Sequence, residues 1–116
     1  MKKLFEPLQI KNVQIKNRIC FPPVVCYAWG SRDGYVSPEN VEHYRNVAKG
    51  QTGLIIQEAT CVDKNGKLAE NQLGIWEDGQ IQGLSWIVDA VHGEGCPIFI
   101  QIHHAGVSGL DGELAC

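Results

Sequence analysis

The stretch Phe99-Ile100-Gln101-Ile102-His103-His104-Ala105-Gly106 puts an amide and two imidazoles at the end of an apolar run. Glutamine and histidine are costly to bury without partners, so each must meet a structural partner or a ligand. A glutamine side chain donates and accepts at once, which matches the amide-like edge of a flat heterocycle. Two other short apolar runs end in residues that bear on the same question. Pro22, Pro23, Val24, Val25, Cys26 and Tyr27 follow the first, and Glu58, Ala59, Thr60 and Cys61 follow the second. The set contains no carboxylate pair and no metal-ligand spacing. It offers prolines without N–H groups, small residues, one amide and two imidazoles. Such a set suits an uncharged planar ligand held through hydrogen bonds.

Each of these residues also has a structural reading. Gln101 could bond a neighbouring side chain. His104 reads as a loop support bonded to backbone. His103 alternates to the other face, toward solvent or a helix. The two histidines are too close together to form a metal site without further ligands. Cys26 is either a small buried hydrophobe or, by its place at a strand end, a functional thiol. Tyr27 and Trp29 read equally as core or as pocket wall. Arg18 reads as a structural bridge at the floor or rim of a sheet.

The elements that must position these residues are well marked. Leu8–Ile10 and Val13–Ile15 alternate apolar and polar around Lys11-Asn12, the pattern of a short hairpin. A strand over Ile19–Phe21 stops at Pro22-Pro23, which cannot donate to a ladder. Gly30 and Asp33-Gly34 mark a loop. Ser37 caps a helix that has Pro38 in its first turn and Val41, Tyr44, Val47 and Ala48 on one face. Leu54–Ala59 has the unbroken apolar run of a buried parallel strand. Lys64-Asn65-Gly66 reads as a turn or second hairpin. A second helix is capped by Asp78 and carries Ile81, Leu84, Ile87, Val88 and Val91 on one face, ending at Gly93 and Gly95. Pro97–Ile102 is the third strand. Strands alternating with helices of this length predict right-handed βαβ units and a parallel sheet, in which ligands bind at the carboxyl ends of the strands. Three strands and two helices cannot close a barrel, so the chain reads as the opening part of a larger fold, with its third strand an unprotected edge.

The 116-residue chain is 44% hydrophobic and 20% charged, with a net charge of −3. Nothing in that balance, and no Lys/Arg run, favours nucleic acid. No apolar stretch approaches the ~20 residues of a membrane span. Glu6 and Pro7 break the apolar start, so no signal peptide is expected. Five widely spaced cysteines without a CxxC pair predict reduced thiols and a cytoplasmic protein.

The ordered series "LFEPLQIKNVQIKNRI", "PP", "DGYVSPENVEHYRNVAKGQTGLIIQEATCV", "GIWEDGQIQGLSWIVDAVHGEG" and "IFIQIHHAG" resembles the N-terminal part of the Old Yellow Enzyme family. It is most similar to the bacterial, thermophilic-type branch. The resemblance implies a partial FMN-binding TIM (β/α)8 barrel over residues 1–116, with a hairpin, about three barrel strands and two helices. It implies an NAD(P)H:flavin oxidoreductase, or ene-reductase, acting on a small activated alkene such as an enone. NADH or NADPH is the reductant, and the full-length protein is a homo-oligomer. It places Pro22, Pro23, Val24 and Val25 along the flavin, Ala59 beside the isoalloxazine and Gln101 on the pyrimidine edge. Tyr27 lies in the substrate pocket and, with Cys26, makes up the catalytic set. His104 supports the strand end.

Three departures accompany the resemblance. Val25 stands where the family commonly has the Thr or Cys that tunes the flavin, with Cys26 one residue further on. Val107 stands where an arginine usually follows His-Ala-Gly. The donor pair that polarises the substrate carbonyl, the flavin-binding arginine and the phosphate loops are expected beyond Cys116, and His103 and His104 are not that pair. Two alternatives stand beside this reading. The chain could be a non-catalytic truncated piece, or it could open a larger dienoyl-CoA-type iron-sulfur flavoenzyme.

Overall fold

The computed structural model describes residues 2–110. After a 3-10 turn at Lys2–Phe5 come β1 (Leu8–Ile10) and β2 (Val13–Ile15), paired antiparallel as a hairpin. Lys11 turns the chain with a φ of 52°. Then follow β3 (Cys20–Phe21), α1 (Pro38–Lys49), β4 (Leu54–Cys61), α2 (Ile81–Gly93) and β5 (Ile98–His103). The last three strands form one parallel sheet in the order β3-β4-β5. The predicted βαβ architecture is therefore present.

Local chemistry explains the element ends. The Ser37 hydroxyl accepts from the Asn40 N–H while the Asn40 side chain accepts from the Ser37 N–H, a closed capping box at the start of α1. β3 is shorter than the expected Ile19–Phe21. The Ile19 carbonyl instead gathers the N–H groups of Gly53 and Leu54 and the Thr52 hydroxyl. β4 runs two residues past Ala59 because the Cys61 N–H donates to Leu73 O at 2.8 Å and the Cys61 carbonyl accepts from Ile75. Lys64–Gly66 forms a single 3-10 turn capped by Asp63 rather than a hairpin. Glu77, not Asp78, occupies the cap position before the 3-10 turn Asp78–Gln80 that leads into α2.

The core lies between the sheet and the two helices: Tyr44, Ala48, Ile55, Leu73, Ile87, Val91 and Cys96. On α2, Leu84, Ile87 and Val91 are buried as predicted, whereas Ile81 is 53% exposed. It stands at the mouth of an apolar groove, formed with Leu84, Val88, Ile98 and Ile100, on the helix-facing side of the sheet. Phe99 also lines this groove, whereas Gln101, by the alternation of a strand, lies on the other face of β5 from Ile100.

Asn17 and Gly53 join the hairpin to the sheet. The Asn17 amide donates to Gln51 O at 2.8 Å and its carbonyl accepts from the Ile19 N–H at 3.0 Å. A Cβ at residue 53 would fall 2.2 Å from the Asn17 carbonyl oxygen, so only glycine fits there.

Candidate functional site

The sheet order brings the carboxyl ends of β3, β4 and β5 to one edge. Two buried polar side chains then tie those ends together. Glu58, 1% exposed, accepts at Oε2 from the Cys26 N–H at 3.2 Å, which ties the segment after β3 to β4. Its Oε1 accepts from the Tyr44 hydroxyl at 3.1 Å, and the Glu58 N–H donates back to Tyr44 Oη at 2.8 Å. Burial pushes the Glu58 carboxyl above its ordinary range, opposed by the bonds from Cys26 and Tyr44. Burial likewise drives the Tyr44 hydroxyl far above the usual phenol range.

Gln72, fully buried, ties β4 to β5. Its Oε1 accepts from the Leu68 N–H at 2.7 Å, which fixes the orientation of the amide. Its Nε2 donates to the Ala59 carbonyl at 2.9 Å and lies 3.0 Å from His103 Nδ1. An amide nitrogen only donates, so His103 Nδ1 accepts and the ring proton sits on Nε2. His103 is therefore half-buried and paired with the loop after β4, rather than simply turned to solvent or a helix.

His104 takes the structural place expected of it. Its Nδ1 accepts from the Gly106 N–H at 3.0 Å, and its ring covers Gly66, where a Cβ would come within 2.5 Å of the imidazole. Arg18 is exposed and bridges nothing with its side chain among the described residues; only its backbone is held, by Leu4 O. Trp29 packs on His43, with ring centroids 5.2 Å apart, and so serves as a loop anchor.

The remaining candidates stand around this framework. Pro22 is exposed and Pro23 half-buried; Val24 is 56% exposed and Val25 half-buried. Among the described residues, the N–H groups of Val24 and Val25 have no acceptor. Cys26 is half-buried, and Tyr27 is 52% exposed with its carbonyl held by Asn71. Ala59 is buried at the end of β4. Gln101 is exposed, and its amide has no partner among the described residues. Glu58, Tyr44 and Gln72 are the members that sequence reasoning did not assign. The signal for the first two was a carboxylate inside an apolar strand and a tyrosine on the apolar stripe of the preceding helix. Gln72 sits in a loop and gave no signal.

This is a parallel α/β sheet whose strand ends gather the candidate residues along one edge. The sequence profile of the NADH:flavin oxidoreductase / NADH oxidase family matches residues 3–114, and the chain belongs to that family. It is 41% identical over 114 residues to an NADPH dehydrogenase of Bacillus velezensis, covering 97% of this chain and 34% of the relative. It is 42% identical over 113 residues to an NADPH dehydrogenase of Halalkalibacterium halodurans, covering 97% and 33%. The chain thus spans about a third of the length of these curated relatives. Among solved structures, the Old Yellow Enzyme from Trypanosoma cruzi superposes with a TM-score of 0.83 at 35% identity, covering 93% of this chain and 28% of that one. A 2-naphthoyl-CoA reductase bound to 2-naphthoyl-CoA superposes with a TM-score of 0.91 at 29% identity, covering 95% and 17%. The fold is accordingly part of a TIM barrel, and the Old Yellow Enzyme resemblance stands. The family is one of oxidoreductases, and FMN with a nicotinamide reductant are the cofactors that go with it.

Proposed function

We propose that the protein is an FMN-dependent NAD(P)H oxidoreductase of the Old Yellow Enzyme type that reduces activated alkenes, and that residues 22–27, 59 and 101 form part of its flavin and substrate site. The observation that carries this reading is Gln101. An exposed amide without a partner among the described residues lies within β5, across from the register irregularity between Gln57 and Thr60 of β4 that contains the small Ala59. A planar heterocycle with an amide-like edge satisfies both halves of that side chain.

The donor chemistry of the other strand end fits the same group. Pro22 and Pro23 offer no N–H, and among the described residues the N–H groups of Val24 and Val25 have no acceptor. Pro22 to Val25 would lie along the flavin, Ala59 would leave room for the ring, and Gln101 would hold its pyrimidine edge. When bound, FMN supplies the hydride chemistry; the protein supplies binding, orientation and electrostatics. Tyr27, on the exposed loop, would line the pocket for a small enone. Val25 has no side-chain hydrogen bond to give, so Cys26, one residue on, would be the group that tunes the site. The homo-oligomeric state and the cytoplasmic location belong to this proposal. The four described cysteines, all free, are compatible with a reducing compartment.

The experiment is anaerobic reduction of the full-length protein loaded with FMN. NADPH or NADH should bleach the visible flavin band, and an enone should restore it. A bound flavin that neither nucleotide reduces would refute the proposed function. The likeness to 2-naphthoyl-CoA reductase supports a second architecture, a longer flavoenzyme with added domains. The length of the full reading frame separates the two.

A further inference from the structure

Glu58 is a buried ionisable group for which the proposed function has no use. We infer that Glu58, braced by Tyr44, is a positioning residue of the flavin site: its carboxyl withdraws the Cys26 N–H and fixes the Pro22–Cys26 segment so that the N–H groups of Val24 and Val25 are the ones left to a ligand. This rests on the reading of residues 22–25 as the flavin wall.

The segment needs such a device. Between β3 and α1 the chain has no regular structure, and β3 itself has only two residues. Pro22 and Pro23 cannot donate, so neither can tie the segment through an N–H. Val24 and Val25 make no hydrogen bond among the described residues. From Pro22 through Cys26, the bond from Cys26 N to Glu58 Oε2 is therefore the one hydrogen bond that fixes the backbone among the described residues.

The acceptor is held rigidly. Glu58 lies within β4, its own N–H donates to Tyr44 Oη, and its other carboxyl oxygen accepts from the Tyr44 hydroxyl. Tyr44 is fully buried in the core on α1. The anchor thus runs from α1 through Tyr44 and Glu58 to the Cys26 backbone. Carboxylates accept two or more bonds at once, so one side chain serves both partners. An exposed residue doing this would exchange its bonds with water; at 1% exposure Glu58 has no such alternative. The geometry also sorts the donors. With the Cys26 N–H committed and the prolines lacking one, two adjacent N–H groups remain in the stretch.

The test compares the full-length protein with Glu58→Gln and Glu58→Ala. The readouts are FMN affinity, the absorption maximum of the bound flavin and its midpoint potential. Glu58→Gln keeps an oxygen for the Cys26 N–H and should bind FMN within about threefold of wild type. Glu58→Ala removes it and should bind FMN roughly tenfold or more weakly, the loss of one buried bond, with a shifted absorption maximum and potential. If Glu58→Ala does not fold, Tyr44→Phe takes its place: it removes the brace, and the same shifts should appear in smaller measure. Bound-flavin spectra and potentials identical in all folded variants would overturn the clamp while leaving the function intact. A wild-type protein that does not bind FMN would overturn both.

Discussion

The Tyr44 hydroxyl and Glu58 exchange two hydrogen bonds: the hydroxyl donates to Oε1 at 3.1 Å and accepts from the Glu58 backbone N–H at 2.8 Å. Both residues are essentially fully buried. One oxygen thus satisfies two groups that would otherwise be orphaned in the core. Tyr44→Phe should destabilise the protein by about 2 kcal/mol, the cost of buried polar groups left unmatched. Urea unfolding of the full-length protein measures it, and a midpoint unchanged from wild type would contradict the reciprocal pair.

The same buried carboxyl predicts a pH dependence of stability. Burial raises Glu58 above its ordinary value of 4.5 in the folded state. Its contribution is therefore complete below pH 4.5 and is lost as pH rises through the folded value. The groups facing it are the Tyr44 hydroxyl and the Cys26 backbone. His43 works in the opposite sense. Burial lowers it below 6.5, so its contribution is present above that pH and lost as the pH falls. Removing the Glu58 charge with Glu58→Gln should flatten the decline in melting temperature above pH 4.5. Parallel profiles for wild type and variant would show that Glu58 does not titrate differently on folding.

Gly53 and Gly93 predict opposite outcomes for one substitution. At Gly53 a Cβ would collide with the Asn17 carbonyl, while at Gly93 nothing lies within 4 Å. Gly53→Ala should cost about 2 kcal/mol through forced backbone displacement. Gly93→Ala, at the end of α2, should be neutral or stabilise by about 0.5 kcal/mol through a less flexible unfolded chain. Melting temperatures of the two variants decide it, and equal shifts would contradict the packing at residue 53.

The elements that carry the site were legible because their signals are local. Ser37-Pro38 opens α1, Pro22-Pro23 ends β3, and the run Leu54–Ala59 lies within β4. What escaped depended on which side chains turn back on the backbone, near or far in sequence. Asp78 looked like a cap, yet Gln80 turns back so that its Oε1 accepts from the N–H groups of Trp76 and Glu77, four and three residues before it. Ile81 fitted the helical stripe but stands at the rim of a groove. Tyr44 counted correctly as core, although its hydroxyl is what organises Glu58. Gln72 reaches Ala59 and His103 from a loop, 13 and 31 residues away in sequence. No periodicity announces such a contact.

The most direct test of the flavin site is an equilibrium titration of FMN into the full-length protein and its Gln101→Leu variant, followed by flavin absorbance. Gln101 is exposed in this segment, so leucine there leaves the described core packing untouched. The predicted result is tight binding by wild type and affinity weaker by about 1–3 kcal/mol in the variant, the cost of an unmade hydrogen bond. Equal affinity for FMN in the two folded proteins would contradict the assignment of Gln101 to the flavin.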